Sequence, residues 1–411
     1  MRICFVVRYF PLPTETFILS QIAYFVREGH DVVVLSNGKA EDAEGDVVHE
    51  EVEQLGLMDR VQPLMRLPIG NQARAANAIR QMVRLSMTSP LRLNEALRFD
   101  ESVRRMTRFR LLAALANAPG GLGRFDGIIA HFGPAAEIAS YLRKLKVIDG
   151  PLLSVFHGFD MTREFRERPN AYTGLLQRTR PSDRFLPISD NWRRVLLDRG
   201  FSPEQTTVHR MGVDPTRFEP IEQPAHEGPL RVVSVCRLVE KKGIGFLIKA
   251  VALANREQPG TCVLDLYGDG PMRRELEAIA SGEAVRFHGA VSQQAVVDAL
   301  ADADVLAAPS VTSEAGDQEG IPVAIMEAMA RGLPVLTTRH SGIPELVEHD
   351  VSGLLADERD VAGLAANLQK LAASPDLRRR MGEAGRQKVI EQYDQRKLND
   401  RLAQMIASIS S

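Results

Sequence analysis

The chain has 411 residues, 44% of them hydrophobic and 25% charged, and a formal net charge of -2. That length exceeds what one core usually serves, so two domains are expected. The near-neutral charge implies no nucleic acid or other polyanion as a general partner. Cys4, Cys236 and Cys262 each sit in an apolar, strand-like run. Their spacing fits neither a zinc site nor a disulfide framework, so we read them as reduced, buried residues of a cytoplasmic protein.

The opening MRICFVVRYFPLP is interrupted too early by Arg8 and prolines to read as a secretion signal. No stretch approaches the ~18 apolar residues that a spanning helix needs. ICFVV (3–7) predicts a buried strand, and TFILSQIAYFVREG a helix that stops at Gly29. DVVVLS (31–36), DGIIAH (126–131), LLSVFH (152–157) and RFLPIS (184–189) continue the strand series, with helical sequence after each. Apolar runs of this kind belong to a wound parallel sheet covered on both faces.

Residues 60–112 interrupt that pattern with eleven arginines, no lysine and three acids among Leu, Met, Ala and Phe. We expect one or two basic amphipathic helices inserted into the first domain. Such a surface suits anionic lipid headgroups or a lipid-pyrophosphate acceptor, and equally a solvated face.

The second half repeats the scheme in LRVVSVCRL (230–238), TCVLDLYG (261–268), AVRFHG (284–289), DVLAAPS (304–310) and LPVLTT (333–338). Between the halves, residues 213–229 are polar, proline-rich and without periodicity, as a linker would be. Two α/β domains on one linker leave a cleft between sheet ends, where such folds bind ligands.

Two segments carry candidate chemistry. In CRLVEKKGIGFLIKA (236–250), Arg237 ends a strand, and Lys241, Lys242 and Gly243 open a helix. Cations beside a helix N-terminus make an anion site suited to a diphosphate. In DQEGIPVAIMEAMARG (317–332), Pro322 suits the first helical position and Gly332 the stop. Glu319 precedes that helix and Glu327 falls off its apolar face, so each carboxylate can accept sugar hydroxyls or simply meet solvent.

Taken together, the Arg237/Lys242 segment, YGDGP (267–271), RFHGAV (286–291) and EGIPVAIMEAMARGLPV (319–335) resemble family 4 of the retaining glycosyltransferases. HRMGVDPTRFEP (209–220) and HSGIPELVEHDVSGLL (340–355) extend the likeness. The resemblance is dense in the C-terminal half and looser before it. It implies an α/β GT-B fold, two Rossmann-like doubly wound domains facing across a cleft. Residues 1–212 would form the acceptor domain and 213–229 the linker. Residues 230–389 would form the nucleotide-sugar domain, with a helix over 390–411 packing back on the first.

Carried over residue by residue, the resemblance implies that Arg237 and Lys242 bind the donor diphosphate. Glu327 would hold the ribose and Glu319 the transferred sugar. Backbone at His288 and Gly289 would read the base, and Ser341, Gly342 and Ile343 would lie near the phosphates. His157, in VFHGFD (155–160), would reach the transferred sugar, with Asp160 a second candidate and His131 lining the same cleft. Many members carry a glycine-rich first loop; here it reads RYFPLPTETF (8–17), without glycine. That segment, with the acidic loop 310–322, resembles the exopolysaccharide branch of colanic acid or amylovoran type, and leaves Thr14, Glu15 and Thr16 as acceptor contacts.

These readings imply a hexosyltransferase that moves sugar from a nucleotide-diphosphate donor, uridine diphosphate first and guanosine diphosphate second, to a sugar or lipid-linked oligosaccharide. No nucleophile is evident, so same-face attack with retention is expected. No cofactor or metal is expected: Arg, Lys and the helix dipole stand in for it, and Asp302 and Asp304 fall at the wrong end of the sheet. The protein would be cytoplasmic, with the membrane's inner face as a possible surface. Alternatives are a GT-B epimerase, a non-catalytic nucleotide binder, or an NAD-dependent oxidoreductase. The last rests on GDGPMR (268–273), which has two of the three fingerprint glycines.

Overall fold

The computed structural model describes residues 1–12, 15–38, 50–98, 105–220 and 228–410. Thr14 lies outside them, as does the middle of the linker. The first domain is a parallel sheet of β1 (Arg2–Val6), β2 (Asp31–Leu35), β3 (Val61–Gln62), β4 (Gly127–His131), β5 (Leu152–Phe156) and β6 (Arg184–Pro187), ordered β3-β2-β1-β4-β5-β6. Every residue of β4 and β5 is buried. That is why these segments are apolar throughout rather than alternating.

The second domain has β7 (Leu230–Val235), β8 (Cys262–Tyr267), β9 (Val285–Gly289), β10 (Val305–Ala308), β11 (Val335–Thr338) and β12 (Gly353–Ala356). Its order, β12-β11-β10-β7-β8-β9, repeats the winding of the first. In each sheet the first and fourth strands are neighbours, and chain direction across the sheet reverses between them. Ligands of open α/β sheets bind at that switch point, beyond the carboxyl ends of the strands. The doubly wound, two-domain expectation is met.

The basic insert differs from expectation. It forms three helices, Asn71–Thr88, Pro90–Leu97 and Arg105–Asn117, rather than one or two. In the third, Leu111–Ala116 are all buried in the first core, because this stretch is apolar on every side. The first helix instead turns Ile79, Val83 and Met87 to solvent. No helix among the described residues is long and apolar enough to cross a membrane.

The last two helices bridge the domains. Pro375–Gln392 packs on Val323–Ala330 of the second domain. Gln395–Ser410 crosses to the first, where Leu402 and Ile406 are fully buried in its core. Gly127 accommodates that crossing, since a Cβ there would lie 2.9 Å from the Ile406 side chain.

The two sheets meet at loop level. A Cβ on Gly158, after β5, would lie 3.0 Å from the Gly320 nitrogen, and one on Gly320 would lie 2.9 Å from the His157 carbonyl. A side chain at Gly320 would force the loops apart, and one at Gly158 would crowd them. Nearby, the Glu345 carboxylate accepts the backbone N–H groups of Asp190 and Asn191, both at 2.9 Å. These amides open the helix Asp190–Asp198 of the other domain.

Candidate active site

A cavity of about 580 Å³ lies between the carboxyl ends of the two sheets. Its second-domain wall comes from the end of β7, the loop that follows it, and the segment Gln318–Ala324. Its first-domain wall comes from Glu15, Phe17, Phe132, His157, Gly158 and Phe159.

On the second-domain side, Arg237, Lys241 and Lys242 all line the cavity. Arg237 is exposed, and its guanidinium has no ion-pair or hydrogen-bond partner among the described residues. Two helix N-termini open on the same space, Ile244–Glu257 and Val323–Ala330, neither with a side-chain cap. Gly243 sits before the first with φ 67°. A Cβ there would fall 1.9 Å from the Pro309 carbonyl, so the turn that aims this helix requires glycine. Three cations and two positive helix ends on one wall suit an anion chemically.

Glu319 counterbalances them. Its carboxylate pairs with Lys242 at 2.9 Å and Lys241 at 3.2 Å, and Lys241 also meets Asp317 at 3.1 Å. Burial alone would raise the Glu319 carboxyl, but Lys242 and Lys241 override it and hold the group below its usual range. The Glu319 backbone N–H donates to His340 Nε2 at 3.0 Å, while His340 Nδ1 meets Glu358 at 2.6 Å. His340 therefore fixes the loop that carries Glu319. Lys241, read from the sequence as one cation of the anion site, is joined to Glu319 here, whereas sequence reasoning did not single out His340.

Glu327 opens on an adjoining pocket of about 60 Å³ that shares Phe17 and Val323 with the main cavity. Val323 and Glu327, four residues apart on the helix Val323–Ala330, share one face, and Glu319 stands in the loop before it. Burial raises the Glu327 carboxyl, with only partial opposition from Arg331. Pro322 precedes the helix as its N-cap instead of occupying the first helical position.

On the opposite wall, His157 follows β5 and is 7% exposed. Phe17 and Phe132 pack against its ring at centroid distances of 4.8 and 4.4 Å, with 6.3 Å between them. Phe132 holds φ 71°, a left-handed conformation that costs a bulky residue strain and sets its ring against His157. Two first-domain expectations are corrected here. His131 is 1% exposed and sits behind His157 without lining the cavity, because its strand ends one layer deeper. Asp160 is fully buried and accepts the N–H groups of Gly133 (3.0 Å), His157 (3.0 Å) and Gly158 (2.8 Å). It clamps the loop and has no exposure to the cleft. Burial pushes its carboxyl up to about 6 against the pull of those donors. Glu15 does line the cavity, and burial raises it to about 7, opposed by Arg8.

Other expected residues are not brought to the cavity wall. His288 bonds Asp265 at 2.6 Å, stacks on Tyr267 at 4.3 Å and faces a separate pocket. Gly289 accepts the Gly268 N–H at 2.7 Å, two strands across from Arg237. Ser341 (φ 49°) and Gly342 pack beneath the cavity, the latter against Ser189, and Ile343 is fully buried. Asp304 holds Arg231 at the start of β7, the amino end of the sheet.

The model for Glycosyltransferase Family 4 matches residues 14–217, and that for Glycosyl transferases group 1 matches 216–388. The colanic acid biosynthesis glycosyltransferase WcaL of Escherichia coli strain K12 is 37% identical, covering 100% of both chains. The amylovoran biosynthesis glycosyltransferase AmsK of Erwinia amylovora is 36% identical over 90% of this chain and 91% of its own. Among solved structures, sucrose-phosphate synthase of Thermosynechococcus elongatus superposes with TM-score 0.72 at 19% identity, covering 100% of this chain and 99% of that one. Anabaena Alr3699/HepE, solved with UDP and glucose, gives 0.70 at 19% identity over 99% and 100%. At that identity the structural likeness concerns the fold. With a full-length relative sharing more than a third of its residues and two family models spanning both domains, the chain belongs to glycosyltransferase family 4 and is an enzyme of the hexosyltransferase class.

Proposed function

We propose that this enzyme transfers a hexose, with retention, from a nucleotide-diphosphate sugar to a growing surface polysaccharide on a lipid-linked carrier. One observation carries the reading: Arg237, Lys241, Lys242 and two uncapped helix N-termini converge on one wall of a cavity whose other wall holds His157. As the glycosidic bond breaks, negative charge grows on the diphosphate. Fixed cations stabilise that state more than the ground state. They supply the charge a divalent ion would otherwise bring, so transfer proceeds without metal. Glu319 binds hydroxyls of the transferred sugar and Glu327 those of the ribose. The departing phosphate oxygen takes the proton of the acceptor hydroxyl as that oxygen attacks the same face of the sugar.

Uridine diphosphate is the favoured carrier. The fold shared with HepE, solved in complex with UDP and glucose, supports it. A more distant relative, named as a GDP-mannose-dependent mannosyltransferase, makes guanosine diphosphate the second choice. The exopolysaccharide acceptor follows the names of the full-length relatives. Contact with the membrane is assigned to the helix Asn71–Thr88. It shows solvent Ile79, Val83 and Met87 at four-residue spacing, with Arg80 and Arg84 exposed between them. Apolar side chains flanked by arginines fit the boundary between acyl chains and anionic headgroups.

A panel of nucleotide-sugars, screened for thermal stabilisation with chelator present, tests the donor. Binding raises stability by RT ln(1 + [L]/Kd), so the right donor stands out. Anomeric NMR of the product tests retention, and an inverted product rules it out.

A further inference from the structure

Behind the cleft wall runs a buried polar chain that the transfer chemistry above leaves unused. Asn399, on the C-terminal helix, accepts from Gln21 Nε2 at 3.2 Å. Gln21 Oε1 lies 2.9 Å from His131 Nε2, and His131 Nδ1 lies 3.1 Å from His157 Nε2. Gln21, His131 and Asn399 are each no more than 2% exposed.

Donor and acceptor roles along this chain follow from the Gln21 amide, whose Nε2 faces Asn399 and whose Oε1 faces His131. A neutral imidazole has one N–H and one lone pair, and burial keeps both histidines below their usual value, His131 at about 3. The Gln21 carbonyl can only accept, so His131 carries its hydrogen on Nε2. Its Nδ1 is then a lone pair, and His157 must donate to it from Nε2. The remaining nitrogen, His157 Nδ1, holds no hydrogen, and no side chain among the described residues hydrogen-bonds to it. His157 lines the cavity, and Phe17 and Phe132, themselves 6.3 Å apart, both pack against its ring. His131 is itself stacked on Phe5, 6.2 Å away and 6° from parallel. Neither ring can turn freely to exchange its nitrogens.

We infer that Gln21 and His131 are positioning residues that hold His157 in the Nε2–H tautomer, presenting its Nδ1 lone pair to the cleft as an acceptor for a sugar hydroxyl. The owner of that hydroxyl rests on the transfer reading above. The tautomer does not, since it belongs to the protein alone. A bare acceptor in an aromatic wall selects for an O–H at that place. It discriminates against a substrate lacking the hydroxyl, because the nitrogen would then be buried unpaired.

The test is ¹⁵N-histidine NMR of the full chain without ligand, with the His157 signals assigned by their loss in His157→Gln. Long-range nitrogen–hydrogen correlations distinguish the tautomers. We expect His157 to carry its hydrogen on Nε2 alone. His131→Phe removes the acceptor and should shift His157 towards Nδ1–H or a mixture. Gln21→Met removes the group that orients His131 and should do the same, and it stands in if the first variant fails to fold. In either, turnover should fall about three- to ten-fold, the worth of one neutral hydrogen bond, while UDP affinity stays unchanged. A wild-type Nδ1–H form, as if both amides were turned, overturns the inference. So does an unchanged tautomer in the variants, or a changed tautomer with undiminished turnover. If no nucleotide-sugar is turned over at all, the transfer reading falls while the tautomer result still stands.

Discussion

Lys242 Nζ donates to Glu319 Oε2 at 2.9 Å, so the cation assigned to the diphosphate is held by the carboxylate assigned to the sugar. That carboxylate also takes Lys241, leaving Arg237 as the cavity's unpaired cation among the described residues. An incoming diphosphate therefore competes with Glu319 for the two lysines. Glu319→Gln should tighten UDP binding several-fold by freeing them, yet cut sugar transfer at least ten-fold. Lys242→Ala should weaken UDP by about 1.5–3 kcal/mol, roughly ten- to hundred-fold. Titration calorimetry and a product assay separate the two effects. Weaker UDP binding in Glu319→Gln would contradict the competition.

Glu15 should leave a signature in stability against pH. Its usual value of 4.5 is raised to about 7 by burial. Between those values the folded protein binds more protons than the unfolded chain, so this group's contribution declines as pH rises through the window. Glu15→Gln removes that decline. Melting curves should show the variant gaining on wild type from about pH 5 to about pH 7, then keeping a constant lead. A difference independent of pH would place the carboxyl in water.

The buried histidines act with the opposite sign. His131 is lowered to about 3 and His209 to about 4, in both cases chiefly by burial, and burial also holds His157 well below its usual value. Unfolded, each takes a proton near 6.5, so stability is complete above that pH and falls as pH drops below it. Denaturant midpoints from about pH 7 down to about pH 4 should follow this, and His209→Gln should soften the slope. An unchanged slope in that variant would remove His209 from the explanation.

Glu345 couples the domains by accepting the first amides of the helix Asp190–Asp198. A carboxylate at a helix N-terminus gains from the dipole as well as from its hydrogen bonds. Glu345→Ala should release about 1–3 kcal/mol of closure. Amide exchange at Asp190 and Asn191 should accelerate at least several-fold, and the radius of gyration without donor should rise. Unaltered exchange there would mean that closure rests on the Gly158–Gly320 contact instead.

Flotation with liposomes tests the basic helix. Wild type should rise with anionic vesicles and much less with neutral ones. Serine at Ile79, Val83 and Met87 together should abolish the difference. Equal binding to both vesicle types would sink the assignment.

Much of this architecture was legible before any coordinates. Strands such as DGIIAH and LLSVFH announce a covered parallel sheet because both of their faces are buried. Arg237, Lys242 and Glu319 were legible because each stands in a local motif whose neighbours set its direction. Gln21, Asn399 and Glu345 were not. Gln21 and Asn399 are 378 positions apart, and Glu345 meets a helix 155 positions away. Nothing within a window of sequence marks such partners, since only the closed winding of two sheets brings them together. For His288 the expectation concerned the backbone, while its ring is held by Asp265 and Tyr267.

The path of the final helix also bears on how the protein is made. Ile406 seats on Gly127 and Leu402 completes the first core. A ribosome delivers the amino-terminal sheet first, but that sheet must wait, with an apolar surface uncovered, until the whole second domain has emerged. Residues 230–389 can then fold as a unit on synthesis, while the earlier-made domain finishes last. Nascent chains arrested before residue 398 should consequently be the ones that chaperones hold. Cutting the gene at the linker would leave the first half with an open seam and the second with an uncovered helix.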